Sequence, residues 1–156
     1  MIVVSNASPL LAPAQADCLY VLKALFVRVL MPDAVYLETV DQCPVPDQQR
    51  RIQSACNDFI AVATPTITHS FSRNLGQGEQ GALALALERR ADLLLMDDKK
   101  ARNEAADLGL SCAFTTDVLR FAEQRGIIAS VPEIVEGLHQ ARIYLPFGAG
   151  HRRGPH

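Results

Sequence analysis

Asp92-Leu93-Leu94-Leu95-Met96-Asp97-Asp98 is the stretch on which the fold turns. Four consecutive apolar residues lie between acids, with no alternation of polar and apolar positions, so neither face of the segment meets water. A strand buried on both faces belongs in the middle of a parallel sheet, with helices packed above and below. Its neighbours supply those helices. Before it, residues 79–90 are rich in Ala and Leu and form the strongest helix of the chain, introduced by Gly78-Glu79. After it, residues 99–108 read as a second helix that stops at Gly109, and Ser111-Cys112-Ala113-Phe114 as another short strand.

Further out the same alternation continues. Ile2-Val3-Val4 is a buried strand closed by Ser5-Asn6-Ala7-Ser8-Pro9, and residues 17–26 place Leu19, Leu22, Leu25 and Phe26 at helical spacing. Val27-Arg28-Val29-Leu30 reads as a second strand. Pro32 opens a helix at a position where its missing N–H costs nothing, and residues 34–40 continue it. Pro44 and Pro46 end that helix, and Asp47 is positioned to cap the next, through Arg50, Arg51 and Ile52 to Cys56. Residues 59–63 suit an edge strand, 64–75 a Thr/Ser/Pro-rich loop, and 116–125 and 132–141 two closing helices. Strands alternating with helices define an α/β fold with a mostly parallel sheet and helices on both faces. One domain is expected over residues 1–145, with a Gly-rich, basic and flexible tail over 146–156.

The 156 residues carry 15 Lys+Arg against 17 Asp+Glu, a net charge of -2, so any contact with RNA or DNA has to come from a local patch. No apolar run reaches the roughly 18–20 residues of a membrane span, and the N-terminal residues read as a strand without a basic leader; the expected location is the cytoplasm. The four cysteines (Cys18, Cys43, Cys56 and Cys112) form no CxxC pair and read as reduced thiols, mostly within the core.

In parallel α/β sheets ligands bind beyond the carboxyl ends of the strands. Asn6 follows the first strand, Asp97 and Asp98 the long apolar one, and Thr115, Thr116 and Asp117 the last. Glu38 lies on the helix after the second strand, and Glu79 at the start of the helix leading into the Asp97 strand. Each has an ordinary structural explanation: Asn6 as a turn residue, Glu38 as an exposed helix position, Glu79 as a first-turn acid, Asp97-Asp98 and Asp117 as helix caps. As a set they say more. Carboxylates gathered from distant parts of the chain repel one another unless a cation compensates them. Oxygen donors without His or Cys select hard cations such as Mg²⁺ or Mn²⁺, and such ions beside a phosphate assist phosphodiester hydrolysis.

Four segments make the sequence resemble the PIN-domain family, metal-dependent ribonucleases that include the VapC toxins of toxin–antitoxin pairs. They are Val3-Val4-Ser5-Asn6-Ala7-Ser8-Pro9-Leu10, Met31-Pro32-Asp33-Ala34-Val35-Tyr36-Leu37-Glu38, Gly78-Glu79-Gln80-Gly81-Ala82-Leu83-Ala84-Leu85-Ala86, and residues 91–102 around Asp97-Asp98. Residues 108–128 continue the likeness, which spans about 1–145 and looks closest to a subgroup beginning Ser-Asp/Asn-x-Ser-Pro-Leu.

The resemblance implies a three-layer α/β/α fold with a sheet of four or five strands, a homodimer, an RNA substrate and Mg²⁺ or Mn²⁺ as cofactor. Carried over position by position, the family's acids fall on Asn6, Glu38, Glu79 and the Asp97-Asp98 pair, with Asp97 favoured of the two. Asn6, Glu79, Asp97 and Asp98 would hold the metal. Ser8 and Thr115 match hydroxyls near it, and Lys99, Lys100 and Arg102 are the basic residues placed to meet RNA phosphates. Asn6 departs from the pattern, since most members have Asp there; an amide oxygen can bind Mg²⁺ but lends it no charge. A cognate antitoxin is a further implied partner.

Two other readings compete. The same fold with a weakened site would act as a binding or regulatory module through a protein or nucleic-acid partner. A phosphate-accepting receiver domain would need its acid pair after the first strand, where Asn6 stands instead. A dinucleotide-binding domain lacks its GxGxxG turn.

Overall fold

The computed structural model describes residues 1–146. Five short strands, β1 (Val3–Ser5), β2 (Val29–Pro32), β3 (Ile60–Ala63), β4 (Leu93–Leu95) and β5 (Cys112–Ala113), form one parallel sheet in the order β3-β2-β1-β4-β5. β1 and β4 lie at its centre with Val3, Val4 and Ser5 opposite Leu93, Leu94 and Leu95. Eight α-helices fill the connections among the described residues: α1 (Ser8–Gln15), α2 (Tyr20–Phe26), α3 (Asp33–Tyr36), α4 (Pro46–Ala55), α5 (Gln77–Arg89), α6 (Lys99–Asp107), α7 (Thr115–Gln124) and α8 (Val131–Gln140). The chain is thus the three-layer α/β/α fold that the apolar run around Leu94 predicts.

Successive strand side chains point to opposite faces, and the core divides accordingly. Val3, Val29, Met31 and Leu95 pack with Leu10 of α1, Leu22 of α2, Ile52 of α4, Leu119 of α7 and Leu138 of α8. Val4, Leu94 and Met96 pack on the other side with Leu83 and Ala86 of α5 and Ala101 and Ala105 of α6. Leu94, Leu95 and Met96 are each at most 1% exposed, which accounts for the unbroken apolar run.

Four details differ from the reading of the sequence. Residues after Asn6 do not form a loop but fold into α1, which its prolines conceal. Pro9 sits in the first turn, where no N–H is required, and Pro13 gives up one helical bond while staying buried. The second strand begins at Val29, because Val27 adopts φ +67° in a tight turn in which the Arg28 N–H donates to the Phe26 carbonyl at 2.7 Å. The helix opened by Pro32 runs on from α3 as a π-helical turn, Leu37–Asp41. Pro46 rather than Asp47 opens α4; the Asp47 carboxylate instead pairs with Arg50 at 2.7 Å. The flexible tail expected over 146–156 lies, except for Pro146, outside the described residues. The Pro146 carbonyl accepts a hydrogen bond from Thr116 Oγ1 at 2.9 Å.

Candidate active site

The carboxyl ends of β1 and β4 open onto a 440 Å³ cavity lined by Asn6, Ser8, Glu38, Glu79 and Asp98, together with Ala7, Leu11, Ala12, Gln48 and Ile143. A larger cavity, 540 Å³, lies away from the strand ends, lined by residues of α2 and α4. Its cations are already neutralised, Lys23 by Asp58 at 2.9 Å, Arg50 by Asp47 and Arg51 by Asp17 at 3.4 Å. The candidate site is therefore the smaller cavity, which holds the residues that follow the central strands.

Asn6 is carried straight off β1, its N–H bonded to the Leu95 carbonyl at 3.0 Å. Its side chain is 6% exposed, and its Nδ2 donates to the Met96 sulfur at 3.1 Å. A thioether accepts but cannot donate, so the amide carbonyl turns away, and Oδ1 is buried with no hydrogen-bond partner. An unpaired buried carbonyl is costly, and it leaves Oδ1 an oxygen donor without a partner.

Glu38 and Glu79 line the cavity from different elements. The π-helical turn presents Glu38 toward the first turn of α5, where a Cβ on Gly78 would overlap Glu38 Oε1 and stand 3.0 Å from its carboxyl carbon. Glu79, the acid of that first turn, folds back toward Gly76, whose Cβ would lie 3.0 Å from Glu79 Oε2. Burial, and after it the charge of Glu79, push the Glu38 carboxyl above the ordinary glutamate value, while the Gly78 backbone N–H favours the charged form.

The two aspartates after β4 part company. Asp97 is 8% exposed, and both its oxygens are engaged. Oδ1 accepts the Thr115 N–H at 2.8 Å, while Oδ2 accepts Thr115 Oγ1 at 2.7 Å and Ser8 Oγ at 2.8 Å. It ties the end of β4 to the starts of α1 and α7. Asp98 is exposed, caps α6 by accepting the Ala101 N–H through Oδ2 at 2.9 Å, and faces the cavity. Asp98 thus lines the cavity with Asn6, Glu38 and Glu79, while Asp97 adjoins it through Ser8, another lining residue, and has Ser8 and Thr115 as hydrogen-bond partners.

Of the three basic residues that follow, Arg102 lies over the Phe114 ring at 3.5 Å and donates to the Met96 carbonyl at 3.3 Å. Lys100 donates to the Asn74 carbonyl at 3.1 Å. Lys99 is exposed and has no ion pair or hydrogen bond of its own side chain among the described residues.

Gln48 is the lining residue that sequence reasoning missed. It is buried, and its Nε2 donates to Gln15 Oε1 at 2.9 Å. Its signal was its spacing: Gln48, Ile52 and Ala55 form the buried stripe of α4, and an amide in such a stripe faces something polar.

Among the described residues no three His, Cys, Asp or Glu side chains converge closely enough to form a metal site by themselves. The donor chemistry nevertheless fits a hard cation. The set is all oxygen, one carbonyl oxygen lacks a donor, and the charge of Glu79 acts against that of Glu38.

Asn6 after β1 and Asp97 and Asp98 after β4 put the candidate site at the carboxyl ends of the two central strands of a five-stranded parallel α/β sheet. The chain belongs to the PIN-domain family, whose model matches residues 2–148. PIN domains are generally nucleases that use divalent metals. The structure is similar to a PilT N-terminus domain protein from the hyperthermophilic archaeon Sulfolobus solfataricus P2, with a TM-score of 0.54 and 18% identity, over 78% of this chain and 93% of that one. At that identity the likeness concerns the fold. No protein in the curated comparison matches. No helix among the described residues is long and apolar enough to cross a membrane.

Proposed function

We propose that the protein is a divalent-metal-dependent endoribonuclease, acting in the cytoplasm as a homodimer and as the toxin of a toxin–antitoxin pair. The observation that carries the hydrolytic reading is the unpaired, buried carbonyl oxygen of Asn6, a residue that lines one cavity with Glu38, Glu79 and Asp98. The toxin role, the antitoxin and the dimer rest on likeness to the family; a short reading frame beside the gene, encoding a DNA-binding or disordered partner, would support the toxin role.

Asn6 Oδ1, Glu79 and Asp98 would hold Mg²⁺ or Mn²⁺, with Glu38 in the same cavity. When bound, the ion supplies charge neutralisation at the scissile phosphate and an acidified water. The chain does the rest. Asp97 fixes the approach of α1 and α7, so the mouth of the cavity keeps its shape. Glu38, its proton affinity raised by burial and by Glu79, is the residue suited to accept a proton from the attacking water. Lys99 is free to meet a neighbouring phosphate.

The test is cleavage of a fluorescent single-stranded RNA by purified protein in Mn²⁺ or Mg²⁺. Activity that disappears in chelator and in Glu79→Gln supports the reading. A second reading, a catalytically weak or inactive module working through a partner, is favoured by the uncharged Asn6 and the absence of a preformed carboxylate trio among the described residues. Pure protein that binds RNA or a partner protein but never cleaves, with Asn6→Asp equally silent, would establish it.

A further inference from the structure

We infer that Gly78 is a positioning residue for Glu38: the absence of a side chain at 78 opens the slot in which the Glu38 carboxylate lies against the first turn of α5, facing the same cavity as Glu79. A Cβ built on Gly78 overlaps Glu38 Oε1 and comes within 3.0 Å of the carboxyl carbon and 3.3 Å of Oε2, so all three carboxyl atoms would have to move. Gly78 is buried, which leaves little room for α5 to shift away instead. Relief has to come from rotation of the Glu38 side chain, because its backbone is held. Glu38 sits on a π-helical turn whose next residue, Thr39, is fully buried and bonded back to the Val35 carbonyl at 2.8 Å. A π-helical turn also places its side chains at angles an α-helix does not offer. The residue at 78 therefore sets where the Glu38 carboxylate stands, without itself touching a substrate.

Gly78 lies in the first turn of a helix and does not occupy the left-handed region, so conformational freedom is not what glycine supplies there. Replacing it by alanine at an unobstructed helical position would raise stability, because the unfolded chain loses freedom. This gives the inference a sign that packing alone does not share. Gly78→Ala should lower the melting temperature of the otherwise unchanged protein. In the Glu38→Ala background, where the obstructing carboxylate is gone, the same change should raise it, by about 2 °C for a chain of this size. The catalytic consequence rests on the nuclease reading. Displacing Glu38 should lower kcat by about a hundredfold while KM for RNA stays within a factor of about two. In Glu38→Ala the further substitution should change kcat no more.

The two measurements separate the two claims. An inactive wild type overturns the nuclease reading, while the reversal in melting temperature still decides whether Gly78 positions Glu38. Gly78→Ala that raises the melting temperature in both backgrounds, or lowers it equally in both, overturns the inference. If Gly78→Ala alone fails to fold, recovery of folding in Gly78→Ala/Glu38→Ala supports it, and failure of both overturns it.

Discussion

Asn6 concentrates the question of activity in one functional group. Its carbonyl oxygen is buried without a donor, in the company of Glu38, Glu79 and Asp98. Asn6→Asp replaces a dipole with a charge, so the metal-free protein should melt lower, from added repulsion. In exchange the Mn²⁺ concentration for half-maximal stabilisation, read by thermal unfolding, should fall about tenfold, the equivalent of ~1.4 kcal/mol for one charged ligand. A metal requirement that does not move would place Asn6 outside the cation's reach. Glu79→Gln works in the opposite sense. It relieves the repulsion on Glu38, so metal-free stability should stay level or rise, while stabilisation by Mn²⁺ disappears. Marked destabilisation without metal would mean that Glu79 serves chiefly as the first-turn acid of α5.

Elements differ in how much of themselves the sequence discloses. β4 was legible because burial on both faces leaves an unbroken apolar run. Leu95→Ala, at the centre of the sheet, should cost about 3 kcal/mol in denaturant unfolding. Helix α1 was hidden because prolines usually mark loops, and here one sits in the first turn while the other is tolerated by packing. Nothing in Leu37-Glu38-Thr39-Val40-Asp41 distinguishes a π-helical turn from an α-helical one, so the approach of Glu38 to Gly78 could not be read. Nor could the division of labour between Asp97 and Asp98, since it depends on where Ser8 and Thr115, far away in the chain, are delivered. The segment before α5 hangs on another acid of this kind. Burial pushes the Glu104 carboxyl up, but hydrogen bonds from the Ser72 hydroxyl and N–H and from Arg73 outweigh it and hold its pKa below the ordinary 4.5. A carboxyl lowered in the folded state stabilises above its unfolded value and ceases to do so as pH falls through the folded one. Glu104→Gln should therefore melt well below the parent at pH 7, with the gap closing progressively below pH 4.5, and residues 64–76 should become more sensitive to protease. A gap independent of pH would mean that the carboxylate charge contributes nothing there.

At the scale of the whole molecule, charge limits how RNA can be held. The net charge is -2, and of the cations beside the cavity Arg102 is committed to Phe114 and the Met96 carbonyl, and Lys100 to the Asn74 carbonyl. Lys99 remains. A protein coated in basic residues gains affinity by releasing many counterions; among the described residues that follow Asp98 here, Lys99 is free, and Lys100 and Arg102 could be recruited only at the expense of existing bonds. With about 0.7 counterions released per phosphate on a single strand, one to three contacts give a slope of log affinity on log salt of about −1 to −2. The measurement is fluorescence anisotropy of a labelled RNA with Glu79→Gln protein, which on the proposed nuclease reading binds without cutting, across a series of KCl concentrations. Lys99→Ala should flatten the slope by about 0.7. A parent slope steeper than about −4 would require a basic surface elsewhere, and its dependence on protein concentration would show whether a second copy of the chain supplies it. Weak, shallow binding of this kind leaves the discrimination between RNAs to the walls of the cavity. There Gln48, with its amide bonded to Gln15, is the buried polar group placed beside the acids. Gln48→Leu should therefore change which RNA sequences are cut more than it changes the salt slope, and equal effects on all sequences would remove Gln48 from recognition.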